Sequence, residues 1–195
     1  MKIKQVKFIK SAQSIKDSID PNFNEVAFMG RSNVGKSSFL NSLTNQKIAK
    51  TSSTPGKTKL INFFEVIYEN DAKTIFVDLP GFGYAKVSKK EQANWEKNLN
   101  NFIKNRFNIK LFVHLRDARH PKLDIDNQVE EYLNYIKKAD QQILTIFTKS
   151  DKLKQNELAK LKKEYPNSIF VSNLKNRGIK EANDAIYKAL FGDFQ

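Results

Sequence analysis

Cysteine is absent from the 195 residues and histidine occurs twice. The first fact excludes disulfides and cysteine-based metal sites. The second leaves too few imidazoles for a zinc centre, and a reducing cytoplasm is the expected home. Long apolar runs are missing as well. The N-terminus, MKIKQVKFIK, interleaves lysines with single apolar residues and never reaches the uncharged run of a signal peptide; no later stretch has the length of a membrane span. A soluble protein with no stable membrane insertion is expected. Arginine is scarce, supplying 5 of the 34 basic residues against 29 lysines. The formal net charge of +13 fits a polyanionic partner, nucleic acid or an anionic membrane surface. Lysine and asparagine enrichment also fits a base-composition bias of the genome. Charge of this size attracts nucleic acid whatever its origin.

What is present is enough for one domain with a sizeable core, since 39% of the chain is hydrophobic and 11% aromatic. Residues 1–21 alternate at first (Val6, Phe8), then carry Ile15 and Ile19 at helical spacing, which predicts an N-terminal extension of an edge strand and a short helix packed on a domain of residues 22–195. A strand from Phe23 to Met29 follows, then a helix carrying Phe39, Leu40 and Leu43. Strands are expected at Leu60–Tyr68 and Lys73–Asp78, joined by a link so short that it permits only antiparallel pairing. Trp95, Leu99, Phe102, Ile103 and Phe107 place an amphipathic helix from about Lys90. Strands at Lys110–Leu115, Gln142–Phe147 and Ser168–Val171 then alternate with helices around Val129, over Leu153–Tyr165 and around Ile186. The pattern predicts an α/β fold with a mainly parallel six-stranded sheet, one strand antiparallel, and helices on both faces. Ligand then binds at the carboxyl ends of the strands.

The chemistry-bearing motifs fall at those ends. Gly30 to Ser38, GRSNVGKSS, fits the phosphate-loop template of Gly, four free positions, Gly, Lys and Ser, and it lies between a strand and a helix. Gly30 and Gly35 remove side chains where backbone must approach oxygen, Lys36 can reach β- and γ-phosphates, and the Ser37 hydroxyl can ligate Mg²⁺. Asp78 ends an apolar strand, where its carboxylate can orient a metal-bound water opposite Ser37, and Gly81 can offer a backbone N–H to the γ-phosphate. Thr148, Lys149, Ser150 and Asp151 end a later strand. A carboxylate at Asp151 can accept both N1–H and the 2-amino hydrogens of guanine, a pair that adenine does not offer, and the Lys149 stem can lie along the base. Backbone at Ser172 to Lys175, SNLK, can meet guanine O6.

GRSNVGKSS, TPGKTKLINFF (Thr54 to Phe64), DLPGFGYAKVS (Asp78 to Ser88), TKSD and SNLK together resemble the bacterial EngB family of GTPases, also called YihA or YsxC. The resemblance covers nearly the whole chain. It implies a Ras-like P-loop GTPase fold binding GTP or GDP with Mg²⁺, a role in assembly of the large (50S) ribosomal subunit through rRNA and ribosomal proteins, a requirement in normal cell division and septation, and a monomer. By motif match Thr58 is the threonine that joins Ser37 on Mg²⁺, with Asp78 acting through water, and Lys36, Thr58 and Gly81 are the catalytic set. The implied nucleotide contacts are Gly30, Arg31, Ser32, Asn33, Val34, Gly35, Lys36, Ser37 and Ser38; Gly56, Lys57, Thr58, Lys59 and Leu60; Asp78, Leu79, Pro80 and Gly81; Thr148, Lys149, Ser150 and Asp151; and Phe170, Val171 and Ser172. SNLK departs from the commoner Ser-Ala-Lys form.

Ras-like enzymes place a Gln directly after Asp-x-x-Gly to orient the attacking water. Phe82 stands there. An apolar ring cannot hold a water by hydrogen bonding, so slow hydrolysis is expected, completed by a partner or by K⁺, for which Asn33 resembles the coordinating loop Asn of related GTPases. Lys50–Lys59 and Leu79–Ser88 are the expected switch segments, with Phe82, Tyr84 and Lys86 on the partner-reading surface. Two other readings stay open: an ATP-dependent P-loop enzyme, which TKSD disfavours, and a basic RNA- or membrane-surface-binding protein with a structural nucleotide.

Overall fold

Every residue of β2 (Glu25–Gly30) is buried. A strand apolar on both faces belongs at the centre of a sheet covered on both sides. The computed structural model describes residues 1–20, 22–49, 60–82 and 89–192, and of 89–96 the backbone alone. Its remaining elements are β1 (Ile3–Ala12), α1 (Lys36–Thr44), β3 (Ile61–Tyr68), β4 (Lys73–Asp78), α2 (Lys89–Asn105), β5 (Ile109–Asp117), α3 (Asp124–Ile136), β6 (Gln142–Thr148), α4 (Gln155–Glu164), β7 (Ile169–Phe170) and α5 (Ile179–Phe191). They form one sheet in the order β1-β3-β4-β2-β5-β6-β7. β3 runs antiparallel to both its neighbours and the other pairings are parallel. The expected six-stranded, mainly parallel sheet is there, and β1 adds a seventh strand along β3.

Alternation along β2 builds both core layers. Val26 and Phe28 face α1 (Phe39, Leu40, Leu43) and α5 (Ile186, Leu190), whereas Ala27 and Met29 face α2 (Phe102, Ile103) and α3 (Leu133). Each large side chain so buried contributes about 1.5–3 kcal/mol. The β3–β4 link closes with Asp71 in the left-handed region at φ 61°, and Tyr68 N–H donates to Ala72 O at 2.9 Å.

Two sequence expectations need correction. Residues 13–18 form bends and turns, not a helix. The Asp17 carboxylate accepts from the backbone N–H groups of Gln13 and Ser14 and from the Ser14 hydroxyl at 2.7–2.8 Å. Led by the Gln13 bond, these contacts hold the Asp17 carboxyl down at about 2. Ile15 and Ile19 do pack on the core, so their spacing marked the apolar face but not the conformation. The second correction is Phe107, which lies beyond the end of α2 and is 64% exposed. Arg106 turns inward in its place. Its guanidinium bonds Glu25 at 2.6–3.1 Å and lies over the rings of Phe63 and Phe102. Burial pushes the Glu25 carboxyl up while Arg106 pulls it back; breaking so buried a pair costs about 3–5 kcal/mol. Among boundaries, β5 runs past Leu115 to Asp117, and α4 begins after a 3₁₀ turn at Ser150–Lys152.

Candidate functional site

β2 has β4 on one side and β5 on the other, so the chain leaves it in opposite directions and opens a crevice beyond its carboxyl end. The ends of β4, β5, β6 and β7 line the same edge. Gly30 carries the chain out of β2 so close to β5 that a Cβ there would meet Leu115 O at 2.8 Å. Gly35 caps α1 in the left-handed region at φ 102°, with no side-chain cap and no acid in the first turn. The N–H groups that open α1 therefore lack the usual acceptors and suit an anion.

The phosphate loop is pinned from behind. Thr148 Oγ1 donates to Val34 O at 2.6 Å, and Lys149 Nζ donates to Asn33 O at 2.7 Å. Val34 is itself a core side chain. Arg31, expected among the nucleotide contacts, directs its guanidinium toward α3, where Nε lies 3.3 Å from the buried Asp126 carboxylate. From the front, the loop is laced to the segment after β4: Phe82 N–H donates to Gly30 O at 3.3 Å and Ser32 N–H to Phe82 O at 3.1 Å. The Phe82 ring packs near His114, centroids 6.1 Å apart. Leu79 is fully buried and its N–H donates to Phe28 O at 3.0 Å, so it packs in the core.

The Lys36 ammonium donates to the Asp78 carboxylate, and both are buried. Ser37 opens α1 alongside, its hydroxyl without a partner among the described residues. Among those residues no three His, Cys, Asp or Glu side chains converge. Mg²⁺ would therefore need oxygens from Ser37, phosphate and water, a set that a hard cation prefers. Thr58, Gly56, Lys57 and Lys59, together with Tyr84 and Lys86, lie outside the described residues. Leu60 is described and partly buried.

At the base end, Lys149 adopts φ 58°, Ser150 N–H donates to Val171 O at 3.1 Å, and Asp151 follows in the 3₁₀ turn. Ser172 Oγ donates to Asp151 Oδ1 at 2.6 Å while accepting from the Lys175 N–H at 3.0 Å. One carboxylate oxygen is thus fixed by Ser172. The Phe170 ring stacks on Phe147, and Val171 is buried with its N–H donated to Phe147 O at 2.8 Å and its carbonyl accepting from Ser150, so it leaves no backbone group free for nucleotide.

Two residues were missed by the sequence reading. Asp117, at the end of β5, accepts from Lys149 Nζ at 2.8 Å and from Arg119 at 2.8 and 3.0 Å. Burial would raise its carboxyl, but the bonds from Arg119 and Lys149 outweigh burial and hold it well below the usual carboxylate range. Asn173 places its amide 3.4 Å from Gly35 O. The signal for Asp117 was the one already used for Asp78, an acid closing an apolar strand.

The model of the 50S ribosome-binding GTPases matches residues 25–149. A protein of Aliarcobacter butzleri named "Probable GTP-binding protein EngB" is 55% identical over 99% of this chain and its own whole length. The chain belongs to the EngB family of GTP-binding proteins. A second EngB relative, from Campylobacter lari, is 54% identical over 94% of each chain. A crystal structure described as a probable GTP-binding protein EngB covers 85% of this chain and 98% of its own at a TM-score of 0.65, with 24% identity, a likeness of fold. As an EngB-type P-loop GTPase, the protein binds guanine nucleotide and hydrolyses GTP to GDP and phosphate. Among the described residues no helix is long and apolar enough to cross a membrane.

Proposed function

We propose that this GTPase is a slow nucleotide switch in assembly of the large ribosomal subunit, acting as a cytoplasmic monomer and needed for normal cell division and septation. Residues 22–195 form its GTP-binding domain and 1–21 an extension. One observation carries the switch: the phosphate loop and the Asp78–Phe82 segment are joined by the paired bonds among Gly30, Ser32 and Phe82. A γ-phosphate contacting one strand of that pair changes what the other presents to a partner. The matched family's description, 50S ribosome-binding, and the +13 charge support a ribosomal partner. In a sedimentation assay, large subunits are expected to retain the protein loaded with a non-hydrolysable GTP analogue and to release the GDP form. Indistinguishable retention would count against the switch.

In the reaction, water attacks the γ-phosphorus, the bond from that phosphorus to the β–γ bridging oxygen breaks, the oxygen departs with GDP, and the water's proton passes to the released phosphate. Lys36 balances phosphate charge, the α1 N-terminus binds phosphate oxygens, and Gly81 offers its N–H to the γ-phosphate. Ser37, Thr58 and, through water, Asp78 are the residues that would hold Mg²⁺, which would supply neutralisation of phosphate charge. Phe82 cannot orient the water, so the missing group comes from elsewhere. Asn33 is exposed at the loop crest with φ 63°, its carbonyl held by Lys149 and its side-chain amide unpartnered among the described residues. That placement suits K⁺ coordination. Turnover is expected to be about tenfold or more faster in KCl than in NaCl, a fraction of what a cationic finger supplies; equal rates would remove K⁺ from the mechanism.

A further inference from the structure

A second concave surface adjoins the guanine end of the site. It runs between the start of β1, the C-terminal end of α1 and the turn that leads into α5, and none of the residues lining it is acidic. Lys2, Lys47 and Lys180 are its exposed cations, and asparagines such as Asn41, Asn176 and Asn183 fill the walls between them. Asp184 of α5 pairs with the chain's own ammonium at 2.7 Å. The side-chain amides of Asn45, Gln46 and Asn176 are exposed on its wall and have no hydrogen-bond partner among the described residues.

We propose that this groove docks a single strand of RNA; the identification of the strand as RNA rests on the reading of the protein as ribosome-linked. The lysines meet phosphates, which is where most of the affinity of such complexes originates. The exposed amides of Asn45, Gln46 and Asn176 supply what lysine cannot, donors and acceptors for base edges and 2′-hydroxyls. A carboxylate-bearing protein segment would meet the lysines, whereas a nucleic-acid strand brings phosphates for them and base edges for the amides together. Asn173 joins the groove to the nucleotide site, because its amide also reaches Gly35 O at 3.4 Å. An occupant of the groove and a nucleotide therefore press on the same turn, 172–177.

The test is fluorescence anisotropy with a labelled mixed-sequence single-stranded RNA of about ten nucleotides, within the usual span of such sites. Lys47→Glu with Lys180→Glu is compared with Lys160→Glu and Lys163→Glu, the same charge change on exposed positions of α4. The groove variant is expected to lose about tenfold or more in affinity and to flatten the dependence of log K on log salt by about 1.4, the value for two lost phosphate contacts. The α4 variant should stay within about twofold of the parent. Equal losses in both, no loss in either, or groove-sensitive binding to phosphatidylglycerol vesicles without RNA binding would each overturn the proposal. GDP affinity is measured on the same proteins. Ribosomal particles that ignore the nucleotide state refute the switch alone, because free RNA still decides the groove.

Discussion

Replacing Lys36 with Ala is expected to have two separable effects. The first is on nucleotide. Lys36 is the buried ammonium at the mouth of α1, and a charge-assisted bond to phosphate made in such surroundings is worth about 3 kcal/mol, so affinity for GDP and GTP should fall about a hundredfold or more. The second is on the protein without added nucleotide. The same ammonium holds the Asp78 carboxylate, which is 3% exposed. Removing it leaves a buried charge unpaired, at a cost of about 3–5 kcal/mol. Urea unfolding of the Lys36→Ala protein should show that loss, and adding Asp78→Asn should recover most of it while leaving nucleotide binding impaired. Unchanged GDP affinity in Lys36→Ala would remove the lysine from the phosphate site. Unchanged stability would show that Asp78 is solvated.

Asp151→Asn should exchange one base for another. A carboxylate accepts from both guanine N1–H and the 2-amino group, whereas an amide keeps one acceptor and turns an N–H toward the 2-amino donors. Donor facing donor in a desolvated cleft costs about 3–4 kcal/mol, a GDP affinity lower by a few hundredfold. Xanthine carries a carbonyl where guanine has the amino group, so xanthosine diphosphate should bind the variant better than GDP does. Competition with a fluorescent nucleotide measures both. The Ser172 hydroxyl at 2.6 Å bonds one carboxylate oxygen, which keeps a further lone pair for the base. If Asp151→Asn still prefers GDP, base choice lies elsewhere in the cleft.

The order of strands and helices, the antiparallel β3–β4 pair and the placing of the phosphate loop, Asp78, TKSD and SNLK at strand ends were legible in the chain. Each depends on local signals: apolar runs, alternation, a short polar link, and glycines before a helical pattern. What failed did so for one reason, competition between a local pattern and a distant partner. Ile15 and Ile19 keep helical spacing, yet Asp17 takes the N–H groups of Gln13 and Ser14, so the segment turns instead. Phe107 continues the apolar spacing of α2, yet the buried position next to it goes to Arg106, because the Glu25 carboxylate, far off in sequence, needs a cation.

The site divides along the same line. By itself the sequence determined the chemistry: which groups can hold phosphate, metal and guanine, and that Phe82 cannot position a water, because those are properties of residue types at short spacing. Only the tertiary structure decided who holds those groups in place. Asp117 on Lys149, Ser172 on Asp151, Asp126 on Arg31 and Thr148 on the phosphate loop are contacts between separate strand ends, loops and helices. No spacing within one segment encodes them, because each forms only when the parallel sheet sets its carboxyl ends side by side.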